Sequence, residues 1–198
     1  MIITAVNRIK GHLYTLRFNE GEDACLDASI VEERFLHIGQ ELECEELAEL
    51  LEESDNRRAK EKALWLLSYR DHSEGELRQK LRRESTEEAA EYAIETLREC
   101  GLLNDRAFAR RRAEYLMQSK GYAPRRIQQE LRQKGIDSGI IAEALEELEE
   151  NPRDRLAELI ECRFNPLPQE EKAKRRMINT LIRMGYSFND VKAATDVN

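Results

Sequence analysis

Residues 120–145 read KGYAPRRIQQELRQKGIDSGIIAEAL, and near-copies of this stretch lie on both sides of it. Fifty residues upstream is SYRDHSEGELRQKLRR (68–83), and fifty downstream is AKRRMINTLIRMGYSFNDVKAAT (173–195). At that offset Leu77, Ile127 and Met177 coincide, as do Leu81, Leu131 and Leu181. Gly135 meets Gly185, and Ile141 meets Val191. A period of this size points to helical repeats whose units bury their faces against one another.

The pentapeptide ELRQK occurs at 76–80 and at 130–134, an offset of 54 rather than 50. The preceding helix decides between the two. At 50, Ala59 pairs with Ala109, Ala63 with Ala113, Trp65 with Tyr115, Leu66 with Leu116 and Leu67 with Met117; at 54, Leu66 falls on Lys120. The shared pentapeptide is therefore a slip of about one turn along a leucine stripe. The expected fold is mainly α, with tandem three-helix repeats at 55–103, 104–151 and 152–198 behind an acidic β-hairpin/helix element at 1–54.

Charged residues make up 36% of the 198 and aromatics 6%, a balance suited to helices with solvated faces. The net charge of −8 is unevenly spread. Residues 1–54 hold 4 basic and 13 acidic side chains, whereas 104–136 holds 9 basic and 3 acidic. An acidic total thus hides a local basic surface. Cys25, Cys44, Cys100 and Cys162 form no close pair, which points to reduced thiols packed as small residues, not to a disulfide frame or zinc site. No signal-peptide layout opens the chain and no apolar run reaches membrane-spanning length, so a cytoplasmic protein without membrane contact is expected.

Taken in order, residues 2–27 carry strand alternation: Tyr14, Leu16 and Phe18 flank Thr15 and Arg17 before the turn cluster at 19–23. Ile30, Val31, Phe35 and Ile38 then take helical spacing up to Gly39, and Leu47, Leu50 and Leu51 mark a short acidic helix. Ser54-Asp55-Asn56 can cap a new helix running to Tyr69. Ser73-x-x-Glu76 and Ser85-x-x-Glu88 read as capping boxes for the next two helices. The second repeat restarts at Asn104-Asp105, with Pro124, Gly135 and Asp137-Ser138 as start, stop and cap signals. The third opens at Pro152, breaks at 165–168, stops again at Gly185 and restarts at Ser187-x-x-Asp190.

Little here suggests chemistry. Asp71-His72-Ser73 has the letters of a hydrolase triad, but sequence neighbours point apart and Ser73 already has a capping role. His12, His37 and His72 lack metal-ligand spacing, and no glycine-rich phosphate loop is present, so no enzyme, metal or cofactor is expected. The matching places of Trp65 and Tyr115 suggest packing within or between repeats rather than stacking on nucleobases.

The basic clusters are the features with functional pull. Arg78, Lys80, Arg82 and Arg83 fall in repeat one, and Arg110, Arg111 and Arg112 on the first helix of repeat two. Arg125, Arg126, Arg132 and Lys134 fall on its next helix, and Lys172, Lys174, Arg175 and Arg176 on the corresponding helix of repeat three. Arg125-Arg126 and Arg175-Arg176 coincide at the 50-residue offset. A stripe of this kind can track phosphates or an acidic protein groove. Pairing with nearby acids, such as the run at 143–150, is the structural alternative.

LSYRDHSEGELRQKL (67–81), GLLNDRAFA (101–109) and KGYAPRRIQQELRQKGI (120–136) together resemble the RecX family, bacterial regulators of the RecA recombinase. The resemblance covers 57–198 and implies tandem three-helix repeats. It further implies a non-enzymatic protein that binds the RecA–DNA filament and inhibits it in DNA repair, recombination and the SOS response. The family's recurrent positions fall on Arg70, Ser73, Glu76, Leu77, Lys80, Leu81, Asp105, Phe108, Lys120, Gly121, Ile127, Glu130, Leu131, Lys134 and Gly135. Of these, Arg70, Lys80, Lys120 and Lys134 are the exposed candidates. With the basic stripe (Arg78, Arg82, Arg110, Arg111, Arg125, Arg126, Arg132, Lys174, Arg175 and Arg176) they make up the expected surface of a monomer for the RecA filament and single-stranded DNA. Two rivals remain: a helical scaffold for another protein, and a duplex-DNA regulator, which lacks a set of base-reading side chains on one recognition helix.

Overall fold

The computed structural model describes residues 1–9, 11–148 and 151–195. Contacts divide the chain into two compact units, Met1–Leu103 and Asn104–Asn198.

Unit one opens with β1 (Ile3–Arg8), β2 (Leu13–Phe18) and β3 (Ala24–Asp27), an antiparallel sheet in that order, one strand more than the expected hairpin. Alternation along the strands puts Ile3, Leu16, Ala24 and Leu26 into a core completed by Ile30, Val31, Leu36, Leu42 and Leu50. Asp27 caps α1 (Ala28–Glu33) by accepting from the Ser29 N–H. This helix stops before Phe35, whose φ of 50° turns its ring outward at 82% exposure, and Leu36 is buried in its place. The expected helical spacing through Phe35 and Ile38 therefore fails.

The chain then forms one 26-residue helix, α2 (Cys44–Tyr69), so the expected cap at Ser54 and the 54/55 boundary both fall inside it. Ser54 is fully buried, and its hydroxyl accepts from the Asp27 backbone N–H at 2.8 Å. With that partner Ser54 has no need to end a helix. Leu50, Ser54, Ala59, Ala63 and Leu66 form one buried face. α3 (Glu74–Leu81) is capped by Ser73, which accepts from the Glu76 N–H at 3.1 Å. α4 (Glu87–Glu99) is capped by Thr86, one residue past the expected Ser85, because the Thr86 hydroxyl is the one that reaches the Ala89 N–H. Ala59, Ala63, Leu77, Leu81, Ala93, Ile94 and Leu97 form the first repeat's core.

Unit two holds six helices among its described residues: α5 (Asp105–Gln118), α6 (Pro124–Gln133), α7 (Ser138–Glu146), α8 (Pro152–Phe164), α9 (Glu171–Arg183) and α10 (Phe188–Thr195). Asn104, Asp137 and Asn151 cap α5, α7 and α8, and the Asp190 N–H reaches the Ser187 hydroxyl ahead of α10. Ile127 and Leu131 are buried in the second repeat and Met177 and Leu181 in the third, equivalent to Leu77 and Leu81 in the first. The 50-residue register is thus the packing register. Ile127 is the fourth residue of α6 whereas Met177 is the seventh of α9, so α9 starts about a turn earlier.

Repeats two and three meet loop to loop. The Ala123 N–H donates to the Met184 carbonyl at 2.8 Å, and the Tyr186 hydroxyl donates to the Gly121 carbonyl at 3.2 Å. Two glycines make this approach possible. Gly121 has a φ of +70°, and a Cβ there would lie 2.8 Å from Leu159 Cδ1. Gly185 has a φ of +98°, and a Cβ there would lie 2.8 Å from the Arg126 backbone nitrogen.

The four cysteines are free and exposed, not packed as small core residues. Cys25, for instance, points outward between buried Ala24 and Leu26. Among the described residues no His/Cys/Asp/Glu group is placed to hold a metal, and no helix is long and apolar enough to cross a membrane.

Candidate partner interface

The first repeat uses most of its basic side chains internally. Arg70 grips Glu76 with both terminal nitrogens, at 3.1 and 3.2 Å, and donates to the Asp71 carbonyl. Arg78 on α3 holds Glu91 on α4, and Arg82 reaches Glu87 and Glu91. The Arg78 hydrogen bond holds the Glu91 carboxyl below its usual range, and Arg98 does the same for Glu74. Lys80 has a different partner: its ammonium donates to His72 Nε2 at 3.1 Å, while His72 Nδ1 donates to the Arg70 carbonyl at 2.9 Å. His72 is buried, and that burial pushes its pKa below the ordinary value. Its ring faces Lys80, and Ser73 is spent on its cap, so the two do not form a relay. In this repeat Arg78 and Arg82 of the expected stripe form an ion-pair network joining α3 to α4.

The second repeat divides. Arg106 and Arg110 on α5 pair with Glu143 of α7 and with Glu147 just past its end, so the described part of the acidic run holds two helices together; Glu149 and Glu150 lie outside the described residues. Arg111 and Lys134 are also engaged. Lys120 stands 5.8 Å from the Tyr115 ring centre. Arg126 is half-buried: it holds Glu130 at 2.6 Å, lies 5.7 Å from the Tyr122 ring centre and packs on Gly185. It serves the junction with repeat three.

Arg125, Arg132, Arg175 and Arg176 differ from these. All four are exposed, and none has a carboxylate partner among the described residues. Arg125 and Arg132 stand seven residues apart on α6 and so share a face. Arg175 and Arg176 lie in the second turn of α9, not at its start, where Lys174 pairs with Glu171 at 3.7 Å. The early start of α9 accounts for this. Of the two arginine pairs, Arg125 and Arg126 sit in the first turn of their helix, where positive charge is unfavourable because the helix N-terminus is itself partly positive.

Beside Arg125 lies a cleft of about 590 Å³ between α6 and the α9–α10 turn. Arg125, Arg126 and Arg183 line it together with Tyr122 and Gln129, and no lining residue is a carboxylate. Such a cleft suits a phosphate or carboxylate group. Arg183 was not singled out in the sequence, although it stands seven residues after Arg176 on the same helix face.

Residues 59–97 match the family model described as the first three-helix domain of RecX, and 104–145 match that of the second. The regulatory protein RecX of Amycolatopsis mediterranei is 35% identical over 143 residues, covering 70% of this chain and 82% of that protein. The chain belongs to the RecX family. The regulatory protein RecX of Clostridioides difficile is 31% identical over 160 residues, covering 79% of this chain and 76% of its own. Among solved structures, a regulatory protein RecX superposes with a TM-score of 0.65 over 98% of both chains at 24% identity. RecX from Lactobacillus salivarius gives 0.59 over 72% of this chain and 95% of its own, at 23% identity. These likenesses carry the fold of small sheet and three-helix repeats. The third repeat and the free arginines on α9 lie beyond both matched RecX domains.

Proposed function

We propose that this RecX-family chain binds the filament that the RecA recombinase forms on single-stranded DNA and inhibits its recombinase and ATPase activities. It acts as a cytoplasmic monomer in DNA repair and the SOS response, through contact and without chemistry of its own. The observation that carries the reading is the division of the basic residues. Most of those of the first repeat are tied to its own acids, whereas Arg125, Arg132, Arg175 and Arg176 have no carboxylate partner among the described residues. Four guanidiniums without acids suit phosphate or an acidic protein groove, both of which a nucleoprotein filament presents.

The test is the DNA-dependent ATPase of a cognate RecA, with the chain added from sub-stoichiometric to stoichiometric amounts. Inhibition is expected across that range. Replacing the four arginines by Ala is expected to raise the half-inhibitory concentration about 30-fold, taking roughly 0.5 kcal/mol for each exposed contact. An ATPase unchanged throughout the range would overturn the reading in favour of a scaffold for another protein.

A further inference from the structure

Two aromatic rings occupy equivalent places in the first and second repeats, and neither belongs to a core. Trp65 on α2 is 52% exposed and Tyr115 on α5 is 44% exposed. The expectation that their matching positions reflect packing fails because each helix buries the neighbouring residue instead. Ala59, Ala63 and Leu66 face one core, and Ala109, Ala113 and Leu116 the other. One exposed aromatic residue is ordinary on a protein surface. Here the exposure recurs at the same offset of 50, and so does its neighbour: Lys62 and Arg112 each stand three residues before the ring. Residues three apart share a helix face. Lys62 Nζ lies 5.0 Å from the Trp65 ring centre, and the Arg112 guanidinium carbon 5.4 Å from that of Tyr115. Lys120 adds a second cation beside Tyr115. Beside Trp65 the apolar surface continues onto Tyr69, 71% exposed and edge-on at 4.8 Å.

We propose that Trp65 and Tyr115 are stacking platforms for the bases of single-stranded nucleic acid, with Lys62, Arg112 and Lys120 meeting the adjoining phosphates. Exposed π-faces accept any unpaired base, and the cations that now lie over these faces have flexible stems that can swing from the ring to the backbone linking one base to the next. The local charge favours this occupant over an apolar protein groove. Of the five basic side chains in residues 56–70, Arg57, Arg58, Lys62 and Arg70 are paired with acids, so the unneutralised charge lies at the second platform, where Arg112 and Lys120 have no carboxylate partner among the described residues. The Arg112 Nε, shielded from solvent, makes no hydrogen bond. Lys62 also pairs with Glu84 at 2.9 Å, so the first platform relies more on its rings than on its cation. The inference rests on the filament reading for the presence of DNA at the partner surface and goes further by naming the residues that meet its bases.

Trp65 is the only tryptophan, so its emission reports on the first platform directly. The full-length chain is titrated with a thymidine oligonucleotide of about 20 nucleotides, enough for more than one site. Saturable quenching of Trp65 is expected. Binding of the same oligonucleotide, labelled and followed by anisotropy, is expected to weaken about 5- to 100-fold for each ring removed by Trp65→Ala or Tyr115→Ala. The Trp65→Phe and Tyr115→Phe variants keep a stacking face and are expected to retain most of the affinity. Circular dichroism checks that all four variants fold. Absent quenching, equal affinity of the Ala variants, or a loss with Phe as large as with Ala would each overturn the proposal. The RecA ATPase is measured in parallel. Inhibition that persists with no DNA binding sinks the platforms and spares the filament reading, whereas stacking without inhibition does the reverse.

Discussion

His72 has both ring nitrogens occupied, one donating to the Arg70 carbonyl and the other accepting from Lys80. Burial, the largest influence, lowers its pKa from 6.5, and the charges of Arg70 and Lys80 add to that; the Arg70 carbonyl and Glu76 oppose it. The folded form therefore resists protonation that the unfolded chain accepts, and the unfolded state binds more protons as pH falls below about 6.5. The stability that His72 contributes is present in full above that pH and is lost as pH falls through the lower folded value. His72→Gln can still donate to the carbonyl and accept from Lys80, but it cannot titrate. Urea midpoints measured at pH 7.5 and 5.5 are expected to fall further for the natural chain than for the variant. Equal falls would show that His72 is not the titrating group. At the same scale, Ser54→Ala leaves the buried Asp27 N–H unpaired and is expected to cost about 1–3 kcal/mol. A loss of a few tenths would mean that the α2–β3 bond matters little.

At the scale of elements, the repeats were legible because each helix shows the core a row of side chains whose spacing survives in the sequence. Leu77, Ile127 and Met177 are equivalent in packing as they are at the 50-residue offset. What the sequence hid depends on partners distant along the chain. Ser54-Asp55-Asn56 looks like a helix start until the Asp27 N–H is found beside Ser54. Arg110 pairs with Glu147 across 37 residues while Arg125 pairs with nothing described, and no local pattern separates the two. The exposure of Trp65 was within reach, since 59, 63 and 66 already fill the inward face and leave 65 outside. The glycine stops were legible as turns, but not as contacts between repeats. Gly185→Ala forces a Cβ to 2.8 Å from the Arg126 backbone nitrogen at a φ of +98°. The expected cost is about 1–3 kcal/mol, read as a lower urea midpoint. Gly101→Ala is the control, because its φ is also positive at +71° but a Cβ there meets nothing within 4 Å. Equal losses at both positions would leave only the backbone conformation and remove the argument that Gly185 serves the junction of repeats two and three.

At the scale of the whole molecule, residues 1–103 carry 14 basic and 24 acidic side chains, and residues 104–198 carry 18 and 16. The first unit, at −10, repels a polyanion at long range, while the second, at +2, is nearly neutral. Attraction must then come from cations that are not already neutralised by their own neighbours. Arg125, Arg132, Arg175 and Arg176, with Lys120 beside them in sequence, give a slope of log affinity against log salt of about 3.5 on a single-stranded DNA filament, at about 0.7 per phosphate. Were every basic candidate in contact with phosphate, the slope would approach about 10. Screening of the repulsion from the first unit makes the measured slope shallower still. Anisotropy of a labelled RecA–DNA filament, titrated with the chain over a range of salt, separates the two cases. A slope of about 3.5 or less is expected, falling by about 0.7 for each of the four arginines replaced by Ala. Arg78→Ala is expected to leave the slope unchanged while lowering stability, since Arg78 is tied to Glu91. A slope near 10, or one that Arg78→Ala reduces as much as Arg125→Ala does, would show that the paired arginines open their ion pairs to meet the partner, and the division between paired and unpaired arginines would be lost.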